Sequence, residues 1–213
     1  MRVACLVDGF NLYHSVSDAI DDEGAPVNIK WLNIRALVES KYSILNDSET
    51  STTDLFYFSA LAVHKNDGSV PRHRSYIRAL ASTGFTPVYG VFREKPVRCN
   101  ASCKKQYVAN VEKQTDVNLA LKLIELYQTD VCDACIIVSG DADLLSAVDT
   151  AKRLFPSKLT VFAFPYRRVN KELAIRANAS VALSIDDYKK FAFPAEIRLP
   201  DGSQLKAPKE WRV

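Results

Sequence analysis

Short apolar runs recur along the chain, with helical patterns between them. Val3-Ala4-Cys5-Leu6-Val7, Asp54 to Ala62, Phe85 to Phe92, Cys135 to Ser139 and Leu159 to Phe164 each have the length of a strand. Val181 to Ile185 predicts a short last one. Trp31, Ile34, Leu37 and Val38 recur at helical spacing, and Pro71 opens a basic helix with Tyr76, Ile77 and Leu80 that Gly84 ends. Thr115 is placed to N-cap a helix running to Tyr127, apolar on most faces and so expected to be largely buried. Asp143 to Leu154 and Asn170 to Asn178 predict two more helices. Residues 17–30, with Asp21-Asp22-Glu23-Gly24, read as a polar surface loop, and Arg93 to Val111 shows no clean period.

Strands alternating with helices imply right-handed crossovers. The expected fold is therefore α/β, a central parallel sheet with helices on both faces. The tail departs from this pattern. Glu196-Ile197-Arg198-Leu199 and Gln204-Leu205-Lys206 flank Pro200-Asp201-Gly202-Ser203, which predicts a small β-hairpin. The expected division is one domain over 1–187 and an extension over 188–213.

Composition narrows the class. At 213 residues and 47% hydrophobic, the chain can bury one full core. Its 28 basic and 25 acidic residues leave +3, too mild by itself to identify a nucleic-acid partner. No stretch approaches the roughly 18 consecutive apolar residues of a membrane helix, and the N-terminal run is too short for a signal-peptide core. The expectation is a soluble, cytoplasmic protein with no membrane partner and reduced cysteines.

The candidate chemistry lies in the acids. Asp8 ends the first strand as Asp8-Gly9-Phe10-Asn11, and Asp141 follows the fourth as Asp141-Ala142-Asp143. In open α/β sheets ligands bind beyond the carboxyl ends of the strands, where both acids fall. Asp116 shares a helical stripe with Ala120, Leu123 and Tyr127, which aims it over the same strand ends. Three converging carboxylates repel one another, and Mg²⁺ or Mn²⁺, one or two ions, resolves the conflict. Such a site polarises a phosphate and activates a water; Asn11 is placed to orient either, and Asp143 is a further ligand or the first-turn acid of its helix. The plainer alternative stays open at this point: an Asp after a strand is commonly a turn or capping residue.

Three segments carry a family likeness. Val7-Asp8-Gly9-Phe10-Asn11-Leu12-Tyr13, Glu112-Lys113-Gln114-Thr115-Asp116-Val117-Asn118-Leu119-Ala120 and Val138-Ser139-Gly140-Asp141-Ala142-Asp143-Leu144 resemble the NYN domain, a branch of the PIN-like nuclease superfamily, and most of all its bacterial LabA-like members. The resemblance runs from the start to about Ile185 and leaves the hairpin tail outside. It implies a PIN-like fold and metal-dependent RNA cleavage. It puts the family's strand-end Asp and following Asn on Asp8 and Asn11, its helix-opening Lys and Asp on Lys113 and Asp116, and its paired acids on Asp141 and Asp143. A later family segment is similar to Thr160–Phe164 and Asn170-Lys171-Glu172-Leu173; a Ser is common where Asn170 stands.

Basic residues cluster at Arg72, His73, Arg74 and Arg78, at Arg93, Lys95, Arg98, Lys104 and Lys105, and at Arg167, Arg168 and Lys171. Around an acidic site they would neutralise phosphates, and Tyr107 and Tyr166 would stack on unpaired bases; ordinary surface charge is the alternative. Cys99/Cys103 and Cys132/Cys135 have permissible zinc spacing, but Cys135 belongs to a buried strand, so no structural zinc is expected. Cys99 and Cys103 alone read as a knuckle remnant, an oxidisable pair or plain loop cysteines.

The expected function is a metal-dependent endoribonuclease. Asp8, Asp116 and Asp141 would be the metal ligands, Asn11 and Asp143 catalytic partners, and Lys113, Arg167, Arg168, Asn170 and Lys171 substrate contacts. RNA is the expected partner, with a homodimer left open, and the products would be a 5′-phosphate and a 3′-hydroxyl. The rivals are an RNA-binding regulatory module and a phosphatase using Asp141-x-Asp143.

Overall fold

The structure is a computed structural model, and it describes residues 1–47, 49–99 and 104–212. Six strands form one parallel sheet: β1 (Arg2–Asp8), β2 (Ser51–Ser59), β3 (Phe85–Tyr89), β6 (Ala134–Val138), β7 (Leu159–Phe164) and β8 (Ala179–Ala182). They run in the order β3-β2-β1-β6-β7-β8. The chain builds outward from β1 on one side and then resumes at β6 on the other. The order therefore reverses between β1 and β6, where an α/β sheet opens a crevice at its carboxyl ends.

Strand alternation divides the core in two. Val3, Cys5 and Val7 face one way, against α1 (Gly9–Glu23), α2 (Ile34–Glu39) and α3 (Ser69–Ser82) through residues such as Val16, Leu37 and Leu80. Ala4 and Leu6 face the other, against α4 (Thr115–Gln128), α5 (Leu145–Leu154) and α6 (Lys171–Arg176) through Leu123, Val148 and Leu173. Each fully buried Leu, Val or Phe contributes about 1.5–3 kcal/mol relative to exposure, so these two layers fix the sheet that carries the strand-end acids.

The tail forms the expected hairpin, β9 (Glu196–Arg198) paired antiparallel with β10 (Gln204–Lys206). Leu199, Leu205 and Ala207 enter the first core layer, and Trp211 lies against Trp31 and Tyr76. No described helix is long and apolar enough to cross a membrane.

Several local expectations are corrected. The polar stretch after residue 17 is helical to Glu23, because Leu12, Ser15, Val16 and Ala19 already form its buried stripe; Gly24, at φ 63°, ends it. Val27–Lys30 then makes a 3-10 turn. The third strand breaks at Gly90, and the supposedly irregular segment is a two-stranded ribbon, β4 (Val91–Arg98) against β5 (Gln106–Lys113). Most of its residues are exposed, so no apolar alternation marked it. Thr115 opens α4 rather than capping it, and Val117 and Leu121 on that helix face solvent. A 3-10 turn over Ala142–Leu144 precedes α5. The last strand ends at Ala182, and Ser184 starts α7 (Ile185–Lys190) through a capping box with Asp187.

Candidate active site

Asp8 is the last residue of β1 and the N-cap of α1. It is buried, and its Oδ1 accepts from the backbone N–H of Phe10 at 3.1 Å and Asn11 at 3.0 Å. Gly9 is required at this turn, since a Cβ there would come within 2.7 Å of the Phe58 carbonyl and the Tyr57 ring. The second carboxylate oxygen, Oδ2, accepts from the Ser139 hydroxyl at 2.9 Å.

Ser139 lies just beyond β6 and is fully buried. Its Oγ also accepts from the Asp141 backbone N–H at 3.1 Å, so one hydroxyl links both strand-end acids. Asp141 accepts in turn from the Asp143 N–H at 2.9 Å. Asn11 reaches across from α1, its Oδ1 accepting from Gly140 N–H at 3.1 Å. A Cβ on Gly140 would overlap the Arg168 carbonyl. The capping roles are thus real, and they aim the carboxylates rather than replace a site.

Asp116, in the first turn of α4, supplies the third group. Asp8, Asp116 and Asp141 each offer a carboxylate oxygen, and these oxygens lie within 4.8 Å of one another. Burial pushes the Asp116 carboxyl up to about 6, with further contributions from Asp8, Asp141, Glu112 and Asp143. Burial also raises Asp8, against hydrogen bonds from Asn11, Ser139 and Phe10 that favour its charged form. An all-carboxylate donor set in which the neighbouring acids raise the proton affinity of Asp116 and Asp8 fits a hard divalent cation.

The other candidate residues fall around this centre. Asp143 is exposed, with its charge close enough to act on Asp116. Lys113, exposed, ends β5 three residues before Asp116. Asn170 caps α6 through Oδ1, and its Nδ2 donates to the Gly140 carbonyl at 3.3 Å. Lys171 is exposed at the start of α6. Arg167 and Arg168 are already engaged: Arg167 pairs with Asp22 and Glu23, and Arg168 with Asp18, tying the loop after β7 to α1. Tyr166 donates its hydroxyl to Glu23. Cys132 and Cys135 are buried, burial pushing the Cys132 thiol up to about 11; Cys103 lies outside the described residues.

Two contributors escaped the sequence analysis. Ser139 lies within the segment Val138 to Leu144, but only the fold shows its hydroxyl between two acids. Glu112 accepts from the Thr115 N–H at 3.1 Å and from its hydroxyl, so it caps α4 from outside. An acid three residues before the helix was the available clue. Beside the acids opens a cavity of about 700 Å³, bounded by Gly9, Phe10, Tyr57, Ser59, His73 and Trp211 among others. Burial lowers the His73 imidazole to about 4, so it is neutral at pH 7 there, 3.3 Å from the Ser59 hydroxyl.

The NYN domain family model matches residues 2–186. Among solved structures the chain is similar to a Vibrio parahaemolyticus protein of unknown function, VPA0982, at 22% identity and a TM-score of 0.53, over 87% of this chain and 94% of that one. That likeness concerns the fold. No curated protein matches the chain.

Proposed function

The chain belongs to the NYN domain family, and from that premise we propose that it is a metal-dependent endoribonuclease whose centre is Asp8, Asp116 and Asp141. The observation that carries the proposal is the approach of these three carboxylates to within 4.8 Å at the crevice between β1 and β6. They would hold one or two Mg²⁺ or Mn²⁺ ions. A bound divalent cation supplies Lewis acidity, offsetting charge on a phosphate and lowering the pKa of a water.

The chain's own groups do the rest. Ser139 and the N–H groups of Phe10 and Asn11 orient Asp8. Asn11 and Asn170 fix Gly140 from both its N–H and its carbonyl, which sets where Asp141 stands. Asp143 adds negative charge near Asp116 and takes part in placing water, and Lys113 and Lys171 neutralise phosphates on either side. Arg167 and Arg168 act through position, by holding the loop after β7 against α1. Water adds to phosphorus and the bond to the 3′-oxygen breaks. A proton from the attacking water ends on that oxygen, which leaves as a hydroxyl, and the phosphate stays on the 5′-oxygen.

The test is cleavage of an unstructured single-stranded RNA in Mn²⁺ by the parent, Asp8→Asn and Asp141→Asn, with folding checked by circular dichroism. The parent should cut and leave 5′-phosphate ends, and both folded variants should be silent. Equal cleavage by all three would remove the acids from catalysis. Binding without cleavage in any metal would identify an RNA-binding module instead.

A further inference from the structure

We infer that one face of the β4–β5 ribbon is a binding track for the single-stranded RNA strand that enters the acidic centre, a claim that rests on the function proposed above. Its basis is register. Val91 pairs with Lys113, Arg93 with Val111, Lys95 with Ala109 and Val97 with Tyr107. Directly opposed residues of an antiparallel pair share a face, and alternate residues of a strand return to it. One face therefore carries Arg93, Lys95, Lys113 and Tyr107, with small aliphatic residues at Val91, Val97, Ala109 and Val111 between them, and no acid.

The other face carries Phe92, Glu94, Pro96 and Arg98 opposite Glu112, Asn110, Val108 and Gln106. Its root, at Phe92 and Glu112, anchors the ribbon, while its outer residues are exposed. Phe92 packs edge-on against Phe10 at 6.0 Å and His64 at 4.8 Å, and Glu112 holds Thr115 at the start of α4. A basic segment that looks uniform in sequence is thus sorted by pairing into a cationic face and a mixed one.

Position and exposure then select the occupant. Arg93, Lys95 and Lys113 are exposed, and among the described residues none is in an ion pair. Tyr107 is 55% exposed on the same face, away from the core. Both strands root at the catalytic end of the sheet: β4 begins just after Gly90, whose N–H donates to the Ser59 carbonyl, and β5 runs through Lys113 into the helix bearing Asp116. Cations spaced by two residues along an extended strand suit successive backbone phosphates, and an exposed ring among them suits a stacked base. Three cations and no acid on that face complement a polyanion rather than a neutral or basic surface.

The test uses the full chain in EDTA, where no cleavage intervenes, and a labelled unstructured oligoribonucleotide followed by fluorescence anisotropy over a salt series. Replacing both Arg93 and Lys95 by Gln should weaken binding on the order of tenfold and flatten the salt slope by roughly 1.4, since each single-strand phosphate contact contributes about 0.7. Tyr107→Ala should weaken binding by roughly tenfold with the slope unchanged. Arg98→Gln, on the other face, should bind like the parent. Loss in Arg98→Gln equal to that of the double variant, or a double variant that binds with the parent's affinity and slope, overturns the track. So does a parent that binds no RNA.

Hydrolysis of bis(p-nitrophenyl) phosphate in Mn²⁺ separates this claim from the one beneath it. That substrate is too small to reach the ribbon, so the ribbon variants should turn it over like the parent and Asp141→Asn should not. A parent inactive on both this diester and RNA would sink the nuclease reading while the anisotropy result still judged the track.

Discussion

Ser139 donates its buried hydroxyl to Asp8 at 2.9 Å while accepting the Asp141 N–H, so the orientation of one strand-end acid is tied to the backbone that carries another. Ser139→Ala removes that tie without removing a carboxylate. It should weaken Mn²⁺ binding by about 10–100-fold, the usual effect of losing a partner that orients a ligand, and leave the fold intact. Calorimetric titration checks it. Parent-like affinity in the variant would show that Asp8 is held by Phe10 and Asn11 alone.

Without a cation, the ionised Asp116 and Asp8 carboxylates oppose folding. The Asp116 carboxyl is raised from its ordinary 3.8 to about 6. A carboxyl raised on folding favours the folded state while protonated, so this contribution is present at low pH and is lost as pH rises from about 4 to 6. Asp8 shifts in the same direction. In EDTA, Asp116→Asn should therefore gain stability relative to the parent across that window. Mn²⁺ should raise the parent's melting temperature more near pH 7 than near pH 5, because the ligands must be ionised. Thermal melts of both proteins at the two pH values decide it, and a Mn²⁺ shift independent of pH would contradict the assignment.

Gly140 sits where a Cβ would overlap the Arg168 carbonyl, between the side chains of Asn11 and Asn170. Gly140→Ala must displace either the Asp141 loop or the loop after β7. A cost of about 1–3 kcal/mol in urea unfolding is expected, together with weaker Mn²⁺ binding. Unchanged stability would mean that the two loops are not packed as described.

Tyr188, on α7, links the segment near the end of the family match to α1 and the loop after β7: its hydroxyl meets Ser15 Oγ at 2.9 Å and accepts the Tyr166 N–H at 2.9 Å. Tyr188→Phe takes the partner from that part-buried N–H and from Ser15, and should cost about 1 kcal/mol. Chemical denaturation measures it, and a neutral substitution would mean that water takes the place of the hydroxyl.

The sheet and the acids were legible because their causes are local. Continuous apolar runs such as Cys135 to Val138 can only be buried strands between helices, and the positions of Asp8 and Asp141 at strand ends follow from the same runs. Asp116 was legible through its stripe with Leu123 and Tyr127. What was hidden depends on partners distant in the chain. The ribbon's register exists only between its two strands, since both faces meet solvent and leave no alternation to detect. The pairing of Arg167 and Arg168 with Asp18, Asp22 and Glu23 requires α1 to continue through residues whose composition resembles a loop. Ser139 looked like a small residue before a turn, and its role appears only once β1 and β6 are neighbours.

The central claim is that Asp8, Asp116 and Asp141 share a divalent cation. Anomalous diffraction from crystals of the protein soaked in Mn²⁺ tests it most directly. A manganese peak bonded to oxygens of all three carboxylates is the expected result. A well-ordered site with no peak among them, or manganese held only elsewhere, would contradict it.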